Sequence, residues 1–86
     1  MSVKQVTVPA LFYRDHLNRE CGETGKIIKV SGNRITVELD DRAFNDLLSD
    51  ADCYADFKRN RDDYSQNKSL VDSAIRTLEI LKAVAA

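Results

Sequence analysis

Lys26-Ile27-Ile28-Lys29-Val30-Ser31-Gly32-Asn33-Arg34-Ile35-Thr36-Val37-Glu38-Leu39 is the stretch whose reading decides the fold. Two runs rich in β-branched residues, 26–30 and 34–39, flank Ser31-Gly32-Asn33. A Gly-Asn pair supplies the positive φ angles of a tight hairpin turn. Ile35, Val37 and Leu39 point one way, while Arg34, Thr36 and Glu38 point the other. Burial on one face is typical of an antiparallel sheet covered on one side by helices.

Upstream, Val3 to Val8 alternates and reads as a short strand. Pro9 suits the first turn of a helix, where its missing N–H would be unpaired anyway. That helix is expected to run to about Cys21, with Gly22 as its left-handed stop and Arg19 near the negative end of the dipole. Ala10, Phe12, Tyr13, His16, Leu17 and Cys21 sweep one broad face.

Downstream, Asp40 or Asp41 caps a second helix. Phe44, Leu47, Leu48, Ala51, Tyr54 and Ala55 follow its i, i+3, i+4, i+7 spacing. Asp46, Ser49, Asp50 and Cys53 take the opposite side. Residues 58–67 are polar and lack periodicity, which predicts a loop. Ser69 with Asp72 resembles a capping box that opens a third helix. Val71, Ala74, Ile75, Leu78, Leu81 and Ala85 form its inner stripe, and Ile80 and Val84 lie off that stripe. The expected fold class is α+β, in the order β-α-β-β-α-α, with a small three-stranded, mainly antiparallel sheet and helices on one face. The pairing of the first strand is not readable from the sequence.

The 86 residues predict one domain, 1–86. A chain of this size buries only about 60–65 % of the surface its unfolded form exposes, so oligomerisation would help it. Hydrophobic residues at 43 % and charged residues at 31 % fit a folded chain rather than a disordered one. No apolar run approaches the roughly 20 residues of a membrane span, and no signal peptide opens the chain, so the expected compartment is the cytoplasm. Cys21 and Cys53 form no CxxC pair and are expected to be free thiols. With one histidine they cannot complete a four-ligand zinc site within one chain, and neither metal nor cofactor is expected.

Net charge is −1 but uneven: residues 1–39 carry +2, residues 40–57 carry −5, and residues 58–86 carry +2. The acidic block falls on the second helix. Lys58, Arg59 and Arg61 form a small basic cluster, which Asp56, Asp62 and Asp63 largely cancel. Direct nucleic-acid binding is therefore the weaker reading, kept as an alternative of a weak nucleic-acid-binding regulator.

Val8-Pro9, Phe12-Tyr13, Asp15-His16, Arg19, Leu47-Leu48, Asp50-Ala51 and Tyr54-Ala55-Asp56 together resemble a group of small proteins encoded by phages and prophages. The likeness covers roughly residues 6–56 and departs at Glu20 to Gly25, where that group has a proline-rich segment. The group carries no function over to this chain. The resemblance implies an origin in a virus or mobile element, and hence a partner in the infected host cell or the virion.

Chemistry is sparse. Asp15 diverges from its neighbour His16 by about 100° around the helix, so it cannot easily orient the ring. Cys21 lies about 140° from His16, which excludes a Cys-His pair within that helix. The bland reading of His16 is a partly buried ring packed beside Phe12. The sparse chemistry predicts a non-enzymatic interaction protein that binds through Asp46, Ser49, Asp50 and Cys53, and the resemblance implies that it is phage-type and that its partner is a host or viral protein. Inhibition of a host defence system, as by an anti-CRISPR-like inhibitor, is a special case of that reading. The rival is a small-ligand or nucleotide-binding, sponge-like protein built on Tyr13, His16 and Arg19. Ile80 and Val84 suggest the seam of a homodimer, the commonest closed assembly.

Overall fold

The computed structural model describes residues 3–19 and 25–85, with Arg19 as backbone only. The elements are β1 (Val3–Pro9), α1 (Ala10–Arg19), β2 (Lys26–Ser31), β3 (Arg34–Asp40), α2 (Asp41–Ala55), a 3-10 helix (Asp56–Arg59), α3 (Arg61–Gln66) and α4 (Lys68–Ala85). The predicted stop at Gly22, and Cys21, lie outside the described residues.

The hairpin turns at Gly32, whose φ is +59°, and no described non-glycine residue has positive φ. Only the first central residue is left-handed, the arrangement that demands glycine there and lets Asn33 keep ordinary backbone angles. β3 is the central strand of the antiparallel sheet, in the order β1-β3-β2. The pairing that the sequence leaves open is therefore β1 with β3, from Val3 opposite Asp40 to Pro9 opposite Arg34. Pro9 ends the strand rather than opening the helix. An edge strand tolerates a residue without an N–H.

α1 has no acidic residue in its first turn, and distant groups satisfy its first amides. Ala10 N–H donates to the Asn33 carbonyl at 2.7 Å, and Phe12 N–H to Ser73 Oγ at 3.1 Å. The hairpin turn and α4 thus hold the start of α1, doing the work of a local cap. At the start of α2 the cap is local: Asp40 Oδ1 accepts from Ala43 N–H at 2.8 Å. Lys4 ties β1 to that end of α2, with its ammonium 3.9 Å from Asp41 and 5.3 Å from the centre of the Phe44 ring.

The helices lie on one face of the sheet. Val6, Val8, Ile35, Val37 and Leu39 from the strands pack into one core with Phe12, Tyr13, Phe44, Leu47, Ala51, Ala74 and Leu81. Gln5, Thr7, Thr36 and Glu38 lie on the other face, where the Thr7 and Thr36 hydroxyls meet at 2.8 Å. Gly25, which leads into β2, sits against this core. A Cβ there would collide with the Leu39 side chain and lie 2.9 Å from the Glu38 carbonyl oxygen, so the approach of the chain requires glycine.

Three expectations are corrected. Residues 58–67 are not a loop: they fall mostly in the 3-10 helix and α3. Asn60 Oδ1 accepts from both Asp62 and Asp63 N–H groups, and those two carboxylates match the helix dipole. This helix is set by its cap, and its residues are exposed apart from half-buried Tyr64, so no apolar period betrays it. Ser69 lies inside α4, which begins at Lys68. Its supposed box partner Asp72 instead accepts from the Tyr64 hydroxyl at 2.8 Å, an interaction that raises the Tyr64 pKa. The inner stripe of α4 is Val71, Ala74, Thr77 and Leu81. Thr77 is admitted because its hydroxyl donates to the Ser73 carbonyl at 2.9 Å, while Ala85 is exposed.

Candidate functional site

The acidic side of α2 is not one surface. Asp46, Ser49 and Cys53 are exposed, as are Asn45, Asp52 and Asp56 nearby. Asp50 is turned inward, with its side chain only 10 % exposed. Its Oδ2 lies 2.7 Å from His16 Nδ1 on α1. A carboxylate can only accept, so the imidazole donates from Nδ1. The expectation that Asp50 lies on the outer side with Asp46, Ser49 and Cys53 is corrected, because the neighbouring helix supplies the partner that lets it face in.

His16 is 2 % exposed and Tyr13 is 1 % exposed. The His16 ring stacks on Phe12 at 6.3 Å between centroids, and Phe12 meets Tyr54 edge-on at 5.8 Å. Two members of the expected ligand-binding trio are therefore shut inside the core, and the Arg19 side chain lies outside the described residues. The structure brings together His16 and Asp50, a pair that residue spacing within one helix could not reveal, because the two are 34 positions apart. Phe12 and Tyr13, both from α1, flank the His16 ring of the pair.

The Tyr13 hydroxyl is buried, and the Gly25 backbone approaches it without completing a hydrogen bond of good geometry. Burial raises its pKa above the usual 10, and the nearby Gly25 backbone offsets part of that rise. A raised tyrosine pKa favours the native state while the phenol is neutral. That stabilisation is complete below pH 10 and is lost as pH climbs through the native-state value. Tyr13→Phe removes a buried polar atom that has no hydrogen bond of good geometry and is expected to hold or raise stability by up to about 1 kcal/mol. Urea titrations at neutral pH and above pH 10 check this, and the variant should lose less stability than the wild type at the alkaline end.

The expected dimer seam is uneven. Ile80 is half-buried against the core, and Val84 is 38 % exposed. Larger apolar exposure lies elsewhere. All six residues of β2 are exposed, with Ile27 at 47 %, Ile28 at 46 % and Val30 at 53 %. No regular stripe announced this, because β2 and β3 look equally able to bury a face. Helical cover decides between them: α1, α2 and α4 pack over β1 and β3, while β2 lies at the sheet edge beyond that cover.

Between α2 and α4 lies an open groove of about 390 Å³, lined by Asn45, Leu48, Ser49, Asp52, Leu78 and Lys82. Among the described residues no cluster of three or more His, Cys, Asp or Glu side chains could hold a metal ion. Cys53 is an exposed free thiol. No described helix is long and apolar enough to cross a membrane.

Fold and surface together define a small α+β protein, with a three-stranded antiparallel sheet, helices on one face and a bare apolar edge strand. No protein-family profile, curated protein or solved structure matches the chain.

Proposed function

We propose that this chain is a non-enzymatic, phage-type interaction protein that acts by binding a host or viral protein. The observation that carries this reading is the half-exposure of Ile27, Ile28 and Val30 along one strand. Contiguous exposed apolar surface on a small protein marks a place where another molecule sits. The His16–Asp50 pair has the composition of a catalytic dyad, yet its burial argues for a structural role.

The second surface is the outer stripe of α2, comprising Asp46, Ser49, Asp52 and Cys53. It suits a basic patch on the partner, and occlusion of a nucleic-acid-binding groove in a host defence protein is the particular action it fits by charge. Asp50 has no part in this stripe, so a charge reversal there would strike the core and report on folding. Asp46→Lys combined with Asp52→Lys is the clean probe. Capture of a protein partner from host-cell lysate is expected to fall by more than about tenfold, since like charges set face to face cost several kcal/mol. The melting temperature should stay within about 3 °C, because both side chains are exposed. Undiminished capture would remove α2 from the interface, and the absence of any retained protein would overturn the binding reading itself.

A further inference from the structure

The apolar rows of the sheet run past their helical cover. Val6, Val37 and Ile27 form one row across β1, β3 and β2, and Val8, Ile35 and Val30 form the next. The first two members of each row are buried, and the third stands about half in solvent. Ile28 is an extra residue between Ile27 opposite Val37 and Lys29 opposite Thr36, a bulge that adds a third aliphatic side chain to the strand. On the other face β2 presents Lys26 and Lys29, opposite Glu38 and Thr36 of β3. Among the described residues, the outer edge of β2 has no neighbouring strand in the sheet. It therefore combines an apolar side, a basic side and backbone groups open to pairing.

A second copy of this chain fits that edge poorly. In the antiparallel two-fold register that best overlaps the apolar residues, with Ile28 of each copy left out as the bulge, Ile27 falls opposite Val30 of the second copy and Lys29 falls opposite its own counterpart on the axis. Like charges directly opposite across strands are destabilising, and lysine on an edge strand is a recurrent guard against self-pairing.

We infer that β2 receives an extended acidic segment of the partner protein, added as a fourth strand. The segment alternates aliphatic and acidic residues. Its aliphatic side chains continue the rows beyond Ile27 and Val30, and its carboxylates meet Lys26 and Lys29. Main-chain pairing supplies attraction and the alternating side chains supply selectivity. This rests on the protein-binding reading above and names the chemistry of the partner at one of its two surfaces.

The test is a titration of ¹⁵N-labelled full chain with two end-blocked octapeptides, one alternating Val with Glu and the other alternating Val with Lys. Saturable amide shifts centred on residues 26–31 are expected with the Glu peptide, and affinity for the Lys peptide should be at least roughly tenfold weaker. Lys29→Glu, which faces Thr36 and so brings no like charge against Glu38, leaves Lys26 and the new carboxylate to cancel and should abolish that preference with the melting temperature unchanged. Equal binding of both peptides, or no shift in 26–31 with either, overturns the inference. So do β2 shifts that follow protein concentration alone, which would show a second copy in that place. Because the titration reads β2 directly, its failure leaves partner capture intact as a separate result, whereas loss of capture alone speaks against the wider reading.

Discussion

Asp50→Ala is expected to lower the unfolding free energy by about 3 kcal/mol, the cost of removing one partner from a buried hydrogen-bonded pair. His16 then loses its 2.7 Å acceptor while its ring stays 2 % exposed among Phe12 and Tyr13. In a chain of this size the melting temperature should fall by more than about 10 °C. Asp50→Asn keeps an oxygen that accepts from Nδ1 and should lose roughly half as much. A double-mutant cycle with His16→Ala isolates the pair, and a coupling of about 1–3 kcal/mol is expected. Coupling near zero would mean that the contact does not join α1 to α2. Urea denaturation of the four proteins gives all the values needed.

Phe12→Ala should cost about 3–5 kcal/mol. Phe12 is fully buried, its ring is shared between His16 and Tyr54, and its amide is held by Ser73 on α4. It is the point where α1, α2 and α4 meet. Total stability of a small domain is about 5–15 kcal/mol, so the variant is expected to sit near its unfolding threshold. Phe12→Leu preserves most of the volume and should cost about 1.5 kcal/mol or less. Far-UV circular dichroism during heating separates them: a cooperative transition survives in the leucine variant and broadens or disappears in the alanine variant. A small effect of Phe12→Ala would contradict its central place in the packing.

The elements with strong periodicity were legible in the sequence. The Lys26–Leu39 hairpin, the stripe of α2 and the strand before Pro9 all state their structure through spacing. The α3 region did not, because an asparagine cap holds it with little apolar burial. Sheet order was hidden for a different reason: alternation in β3 shows that one face is buried but says nothing about which strand is central. Together with helices that cover β1 and β3 but not β2, it separates buried Ile35 and Val37 from half-exposed Ile27 and Val30. At the site, helical angles correctly parted Asp15 from His16 but could not supply the true partner, which comes from another helix. Asp50 was read as surface because charged residues on an amphipathic helix usually are. A carboxylate beside an apolar stripe, with the only histidine of the chain elsewhere, was the signal available.

The central claim is that the surface carries the function and that the buried polar pair serves the fold. Hydrogen exchange of the wild-type chain, alone and in complex with a captured protein partner, tests it most directly. New amide protection is expected in residues 26–31 and along residues 45–53. Protection confined to α1 around Tyr13 and His16, with β2 and α2 exchanging as in the free protein, would contradict it.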